Sequence, residues 1–341
     1  MKAVDFKREV KFIHAVELEK TFMGVIPLRF TTKSLQKFGE MTSIARMGTG
    51  IEMQVAGKIR KIEVTARCRF DDGYGICAEW FLGSYKQLPT IYFQPNSREV
   101  VTFFAEFPEG AASRYPIRFI FPTHCELEII QVRVNVEAVV EEDFVPFDYR
   151  QMPKGDALRW LIHGDSITQG ANVSVPTMTW VDLTARRLGL KPTNLAIGGH
   201  GKAELAMAEA LAERDDFDIL SLHIGANALA DKQYPSRLKR YLEVILKAHP
   251  DKVVVLASPI LITKPDEIRN PLLPATRKAM KDISRALQKK YPKFHFLPGE
   301  HLFRKPETLL VDGVHLGDHG AIEYAENLTR HLSKIIQNFF K

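Results

Sequence analysis

Residues 158–170 read LRWLIHGDSITQG, an apolar run that ends abruptly in glycine, aspartate and serine. From here to the C-terminus, short apolar runs alternate with longer stretches of helical periodicity, which is typical of repeated β-α units. The predicted strands are RWLIH (159–163), TNLAI (193–197), DILSLHI (218–224), KVVVLASP (252–259) and FHFLPG (294–299). The predicted helices are TWVDLTARRLG (179–189), KAELAMAEALAERD (202–215), residues 236–248, ATRKAMKDISRALQKKY (275–291) and AIEYAENLTRHLSKIIQ (321–337). This pattern predicts a parallel sheet covered by helices on both faces.

The first 150 residues have a different period. In KIEVTARCRF (61–70), apolar residues alternate with polar ones, and a similar alternation runs from Ile130 to Glu137, as in half-buried strands. Turn-rich pieces separate further strand-like runs, TIYF, VVTFFAEF and IRFIF. These features predict an antiparallel β-sandwich. The connector PFDYRQMPKGD (146–156) separates the two patterns, so we expect two domains, residues 1–150 and 151–341.

Composition excludes several classes of protein. Hydrophobic residues make up 45% of the chain and charged residues 26%, which indicates a soluble globular protein. The formal net charge is +6, but the basic residues are scattered among 41 acidic ones, which does not favour nucleic-acid binding. Charges interrupt the apolar runs near the N-terminus, and no apolar stretch reaches the roughly 18 residues of a spanning helix. We therefore expect a cytoplasmic protein that does not bind membranes.

Three cysteines, Cys68, Cys77 and Cys125, form no CxxC pair and no spacing typical of a zinc site, so they are expected to be free buried thiols. His315 and His319 lie close to Asp312 and Asp318, but a third strong ligand group for a metal is lacking. The segment IGGHGKA also fails the phosphate-loop spacing, which disfavours a nucleotide site. We expect no metal and no cofactor.

Ligands of a parallel α/β sheet bind outside the carboxyl ends of its strands, where the loops to the next helices converge. Polar loops follow the first three predicted strands, and a fourth precedes the last predicted helix. They are HGDSITQG (163–170), GGHG (198–201), GANA (225–228) and DGVHLGDHG (312–320). All four are expected at one edge of the sheet.

Singly, the polar residues of these loops have ordinary explanations, because glycine, aspartate, serine and asparagine are common in turns and helix caps. Together, GDSI with Ser166, NLAIGG with Gly199, GAN with Asn227, and DGVH with Asp312 and His315 occur in a fixed order on separate loops. This set resembles the SGNH (GDSL-like) serine hydrolase family, over about residues 158–338.

The resemblance implies a flavodoxin-like three-layer αβα domain. It implies Ser166 as nucleophile, His315 as its general base and Asp312 as the residue that orients the base. It also implies an oxyanion hole formed by the backbone N–H groups of Ser166 and Gly199 and by the Asn227 side chain. The segments FMGVIPLRF (22–30) and ARMGTGIEMQV (45–55) resemble the jelly-roll-like β-sandwich that precedes the hydrolase domain in some members.

The residue types fit this chemistry. A serine hydroxyl is a weak nucleophile at neutral pH and needs a base such as imidazole. A carboxylate three residues before that histidine can hold one ring nitrogen and leave the other free for the serine proton. Attack on an ester creates an oxyanion, which backbone N–H groups and an uncharged amide stabilise.

For several residues near these loops, the sequence leaves more than one role open. Ala228 follows Asn227 where the family often has aspartate, so any role of that acid is vacant or filled elsewhere. Asp165 caps the next helix or helps to position the oxyanion hole and bind substrate. His200 faces the substrate or is a surface or capping histidine. His163 is expected at the end of a buried strand.

We expect a carboxylic ester hydrolase that acts on short acyl esters, acetyl above all, of a small molecule or a carbohydrate. The loop ILITKPDEIRNPLLP (260–274) is expected to set the acyl-chain length. Two alternatives stay open: an acyltransferase that uses the same residues, and a catalytically silent carbohydrate-binding protein. The N-terminal sandwich binds carbohydrate, or it supports the catalytic domain or a homo-oligomer.

Overall fold

The computed structural model describes residues 1–6, 9–74, 76–108, 115–135, 157–263 and 269–340. The chain divides into two units, Met1–Thr32 with Thr42–Tyr149, and Lys33–Met41 with Arg150–Lys341. The predicted connector 146–156, with its boundary after residue 150, lies outside the described residues, as do Val136 and Glu137. In the part of the chain that is described, we find no helix long and apolar enough to cross a membrane.

The first unit contains eleven strands among its described residues. They are β1 (Lys2–Ala3), β2 (Lys11–Ile13), β3 (Glu17–Lys20), β4 (Val25–Leu28), β5 (Glu52–Val55), β6 (Lys61–Asp71), β7 (Cys77–Leu82), β8 (Tyr85–Tyr92), β9 (Val101–Glu106), β10 (Ile117–Ile120) and β11 (Cys125–Val134). The short helix α2 (Thr42–Ala45) also belongs to this unit, whereas α1 (Thr32–Lys37), which follows β4 in the chain, belongs to the second unit except for Thr32.

These strands form two antiparallel sheets. One has the order β3-β4-β11-β6-β9, with β1 also paired to β11, and the other has the order β2-β5-β10-β7-β8. The sheets pack face to face through aromatic rings, since Phe103 of one sheet stacks on Phe119 of the other with ring centroids 5.2 Å apart. The predicted antiparallel β-sandwich is confirmed.

The alternation read from KIEVTARCRF holds over most of β6. Residues Ile62 to Cys68 point alternately into the core and outward. The pattern shifts at Phe70, which is only partly buried, because Cys68 pairs with Leu127 and Phe70 with Glu126, leaving Arg69 as a bulge. A second irregularity in β11 leaves Ile130 partly exposed.

The second unit is built on a five-stranded parallel sheet. Its strands are β12 (Arg159–Gly164), β13 (Lys191–Asn194), β14 (Ile219–His223), β15 (Val253–Ala257) and β16 (Phe294–Leu297). The spatial order is β13-β12-β14-β15-β16, which is the flavodoxin-like order. The second strand begins two residues and ends three residues before the predicted TNLAI (193–197), although the N–H groups of Leu195 and Ile197 still bond to the carbonyls of Ile162 and Gly164.

Helices cover both faces of this sheet. They are α3 (Ser166–Gln169), α4 (Trp180–Leu188), α5 (Leu205–Ala212), α6 (Tyr234–Ala248), α7 (Arg269–Gln288), α8 (Pro306–Leu309) and α9 (Asp318–Phe339). Helices α4 and α9 pack together, and α5, α6 and α7 form a second group. The predicted three-layer αβα domain is confirmed.

Local signals explain where α4 begins and ends. The Thr179 side chain accepts a hydrogen bond from the Asp182 N–H, and Gly189 ends the helix in the left-handed conformation. Helix α7 begins at Arg269, earlier than predicted, and includes Pro274 in its interior. Residues 269–274 of the predicted loop 260–274 are thus helical, and residues 264–268 of that loop lie outside the described residues.

Gly164 ends β12 at a point where three chain segments meet. A Cβ atom at this position would lie 2.7 Å from the His223 carbonyl oxygen and closer still to Thr168. The Gly164 carbonyl accepts a hydrogen bond from the Ile197 N–H at 2.9 Å. Only glycine permits this close approach of β12, β14 and the chain after β13.

Gly164→Ala should therefore lower the free energy of unfolding by about 3 kcal/mol, because the added methyl group overpacks a site bounded by backbone. Gly199→Ala is a matched control: Gly199 has φ +73° and open space around its Cβ position, so only the backbone strain of about 1 kcal/mol is expected. Urea unfolding of both variants measures the difference. Equal losses would contradict the packing role of Gly164.

Candidate active site

Three of the predicted residues form a continuous chain of hydrogen bonds. Ser166 Oγ lies 2.8 Å from His315 Nε2, although the two residues are 149 positions apart. His315 Nδ1 lies 2.7 Å from Asp312 Oδ2. The structure thus brings together the predicted nucleophile, base and orienting acid.

Asp312 determines which nitrogen of the His315 ring carries the hydrogen. Partial burial raises the pKa of the Asp312 carboxyl, but hydrogen bonds from the His315 ring and from the backbone of His315 and Val314 outweigh burial and lower this pKa to about 2. An ionised carboxylate only accepts hydrogen bonds, so His315 Nδ1 carries the hydrogen and donates it. His315 Nε2 is then free to accept the hydrogen of the Ser166 hydroxyl.

Backbone contacts hold the loop that carries Asp312 and His315. The N–H of Val311 donates to the His315 carbonyl at 2.9 Å, and that of Thr263 donates to the Gly313 carbonyl at 2.8 Å. At the start of α9, the Asp318 carboxylate accepts from the Ser174 N–H at 2.8 Å.

Within the described ranges, no three His, Cys, Asp or Glu side chains are grouped so that they could hold a metal ion.

Ser166 is the first residue of α3, directly after Gly164 and Asp165. The Asp165 side chain caps this helix by accepting from the Ile167 N–H at 3.0 Å. Asp165 is only 5% exposed. Burial raises the pKa of the Asp165 carboxyl to about 6, against the lowering effect of the bond from Ile167.

The three predicted oxyanion donors lie on neighbouring loops. The Gly198 N–H donates to Gln169 Oε1 at 2.7 Å, and the next residue, Gly199, is exposed with φ +73°. No acceptor for the N–H of Ser166 or Gly199 is found among the described residues. Asn227 Nδ2 donates to the His200 carbonyl at 2.9 Å, which orients the amide. Ser166 and Asn227 line the same cavity.

The two histidines near these loops have structural contacts. His200 Nδ1 lies 3.1 Å from Glu204 Oε1, and its ring lines neither of the two cavities described below. His163 is buried, with Nδ1 3.0 Å from the Leu195 carbonyl oxygen. Substrate binding by His200 or Asp165 stays a prediction.

Two cavities adjoin the loop that carries Ser166 and share part of their lining, including Asp165 and Ile167. The larger has a volume of about 30 Å³ and mostly apolar walls. Its lining residues are Asp165, Ser166, Ile167, Ala226, Asn227, Leu229, Pro259, Ile260, Ile262, Leu273 and Val314. The smaller, of about 20 Å³, has the size of one water molecule and is lined in part by Asp165, His223, Ser258 and Tyr324.

A buried cluster that the sequence did not predict lies next to the smaller cavity. His223 Nδ1 lies 2.7 Å from the Tyr324 hydroxyl, and the Trp180 ring packs against both side chains. The Trp180 indole N–H donates to the Ile167 carbonyl at 3.1 Å. Burial lowers the pKa of His223 to about 3, so its ring is neutral. In the sequence these three residues look like ordinary core positions, and no local spacing indicates that they meet.

Comparisons with known proteins agree with this architecture. The sequence model of the GDSL-like lipase/acylhydrolase family matches residues 159–333, just over half of the chain. No curated protein sequence gives a significant match.

Three solved structures are similar over nearly the whole chain. A salicylyl-acyltransferase, SsfX3, from a tetracycline biosynthetic pathway is 17% identical, with a TM-score of 0.81 and coverage of 98% of this chain and 97% of that one. A GDSL-like lipase from Bacteroides ovatus, described as putative, is 16% identical, with a TM-score of 0.75 and 98% coverage of each chain. A family two carbohydrate esterase from Clostridium thermocellum, in complex with cellohexaose, is 12% identical, with a TM-score of 0.64 and coverage of 96% and 99%. At these identities the likeness concerns the fold.

Asp165→Asn tests the buried carboxyl, because asparagine keeps an acceptor for Ile167 but does not titrate. The folded-state pKa of Asp165 is raised from 3.8 to about 6, so its contribution to stability is present at low pH and lost as the pH rises through 6. Between about pH 4.5 and 7, the unfolding free energy of the wild type should fall by about 2 kcal/mol relative to Asp165→Asn. Urea unfolding across this range measures the change. A constant difference would contradict the raised pKa.

Proposed function

The chain belongs to the GDSL-like lipase/acylhydrolase family, and on this premise we propose that it is a serine esterase that hydrolyses short acyl esters through an acyl-enzyme on Ser166. The observation that carries the proposal is the hydrogen-bond chain from Ser166 through His315 to Asp312, beside a cavity that Ser166 itself lines.

The first half of the reaction forms the acyl-enzyme. Ser166 Oγ attacks the ester carbonyl carbon while its proton passes to His315 Nε2. The ionised Asp312 stabilises the resulting imidazolium. The negative charge on the carbonyl oxygen is stabilised by the N–H groups of Ser166 and Gly199 and by the Asn227 amide. When the tetrahedral intermediate collapses, the bond to the alcohol oxygen breaks, and that oxygen takes the proton from His315.

The second half repeats these steps with water. His315 Nε2 removes a proton from a water molecule, whose oxygen attacks the acyl carbonyl. The bond to Ser166 Oγ breaks, the proton returns to this oxygen, and the carboxylic acid leaves. Because the pKa of Asp312 is about 2, its carboxylate stays ionised over the whole neutral range. Protonation of Asp312 therefore does not change the rate in this range.

For the substrate, we propose an acetyl or other short acyl ester, with a carbohydrate as one class of alcohol. One similar structure is a carbohydrate esterase in complex with cellohexaose, which supports this class. The β-sandwich of the first unit is then a second surface for carbohydrate, or a support for the catalytic unit.

Acyl transfer to an alcohol is the second candidate function. It is favoured by the similarity to a salicylyl-acyltransferase, which extends over both units. The acyl-enzyme is the same in both reactions, and only the acceptor differs. Product analysis with added alcohols and sugars separates the two, since a transferase forms a new ester in preference to the free acid.

Ser166→Ala should lower the hydrolysis of p-nitrophenyl acetate by at least about 10⁴-fold, because the acyl-enzyme cannot form. The wild type should show a burst of p-nitrophenol and label with a fluorophosphonate probe at Ser166. Equal turnover by the variant would exclude Ser166 as nucleophile. Absence of both labelling and turnover in a folded wild type would support a silent binding protein instead.

Asn227→Ala should lower kcat by about 10²- to 10³-fold with a smaller change in KM, because its amide bonds more strongly to the oxyanion than to the ester. Asn338→Ala, at an exposed position of α9, is the matched control and should behave like the wild type. Steady-state kinetics with p-nitrophenyl acetate measure both. A change confined to KM would remove Asn227 from the oxyanion hole.

A further inference from the structure

The larger cavity is lined by some of the proposed catalytic residues and not by others. Ser166 and Asn227 line it, whereas His315 does not. The alcohol oxygen must reach His315 to receive its proton, and the carbonyl oxygen must reach the N–H donors. The remaining substituent of the carbonyl carbon is the acyl chain, so this chain is the part of the substrate that enters the cavity.

The walls of the cavity select for apolar groups. Among the described residues that line it, Asp165 is the one polar side chain beyond Ser166 and Asn227, and this carboxyl already caps α3. The other described lining residues are apolar, with Leu229 after β14, Ile260 after β15 and Leu273 in the first turns of α7. A sugar hydroxyl buried here would lose hydrogen bonds to water at a cost of about 1–3 kcal/mol. A hydrocarbon chain would lose none.

The size of the cavity sets the length of that chain. A water-sized group needs about 10–15 Å³ of such space, so the volume of about 30 Å³ holds two or three methyl-sized groups. The methyl group of an acetyl ester fills one of these places. An acetyl ester therefore leaves much of the apolar surface unused.

We propose that this cavity is an acyl-binding subsite that favours uncharged acyl groups of about three or four carbons over acetyl, with Leu229 and Leu273 as specificity-determining residues. The proposal rests on the proposed esterase function and makes it more specific. Each methylene buried in the subsite should raise kcat/KM about three- to fourfold until the space is full. Chains of eight carbons should then lose this gain by overpacking.

Neighbouring leucines provide a matched pair of variants. Leu273 is 3% exposed and lines the cavity, whereas Leu272 is 37% exposed and does not. Leu273→Phe adds volume to the wall of the subsite, so the ratio of kcat/KM for p-nitrophenyl butyrate to that for p-nitrophenyl acetate should fall towards one. Leu272→Phe should keep the wild-type profile. Leu229→Ala enlarges the space instead, so the optimum should move towards hexanoate.

The experiment measures kcat/KM for p-nitrophenyl acetate, butyrate, hexanoate and octanoate with the full chain and these variants, each checked by thermal unfolding. We expect butyrate to exceed acetate by about tenfold in the wild type. A profile that is flat or highest at acetate, or identical profiles for Leu273→Phe and Leu272→Phe, would overturn the subsite and leave the esterase function intact. Turnover that survives Ser166→Ala would instead overturn both.

Discussion

The close contact at Gly164 is the constraint on which the rest of the site depends. The missing side chain lets the end of β12 approach Thr168 and the His223 carbonyl, and the Gly164 carbonyl is bonded to the Ile197 N–H. These contacts join the ends of β12 and β14 to the chain after β13. The loops with Ser166, Gly199 and Asn227 start at this junction, so their convergence follows from how closely these backbones approach.

The loop with His315 completes the site and leads directly into α9. Tyr324 of this helix bonds to His223 at the end of β14, and Trp180 of α4 packs on both rings while its N–H bonds to Ile167 of α3. This cluster joins the two helices of one layer to the strand and to the short helix that begins with Ser166. It supplies the rigid support that a short hydrogen bond between distant residues requires.

The ionisable groups around Ser166 have differently shifted pKa values because their surroundings differ. Asp312 is partly exposed and accepts hydrogen bonds that favour its charged form, so its pKa falls to about 2. Asp165 is buried, and its pKa rises to about 6. His223 is buried as well and stays neutral. The Asp312 carboxylate is the charge that contacts His315, where an imidazolium would form, while the larger cavity that Ser166 lines has mostly apolar walls, which suit the acyl part of an ester.

The sequence by itself determined the two-part architecture, the order of strands and helices, and the loops that carry Ser166, Gly199, Asn227, Asp312 and His315. These features depend on periodicity and short spacings, and Asp312 and His315 lie only three positions apart. Only the tertiary structure decided the bulge at Arg69, the pairing of His223 with Tyr324, the raised pKa of Asp165 and the shape of the cavity. Each of these depends on burial or on contacts between distant segments, and no local pattern of residues encodes the distance between two side chains that are 149 positions apart.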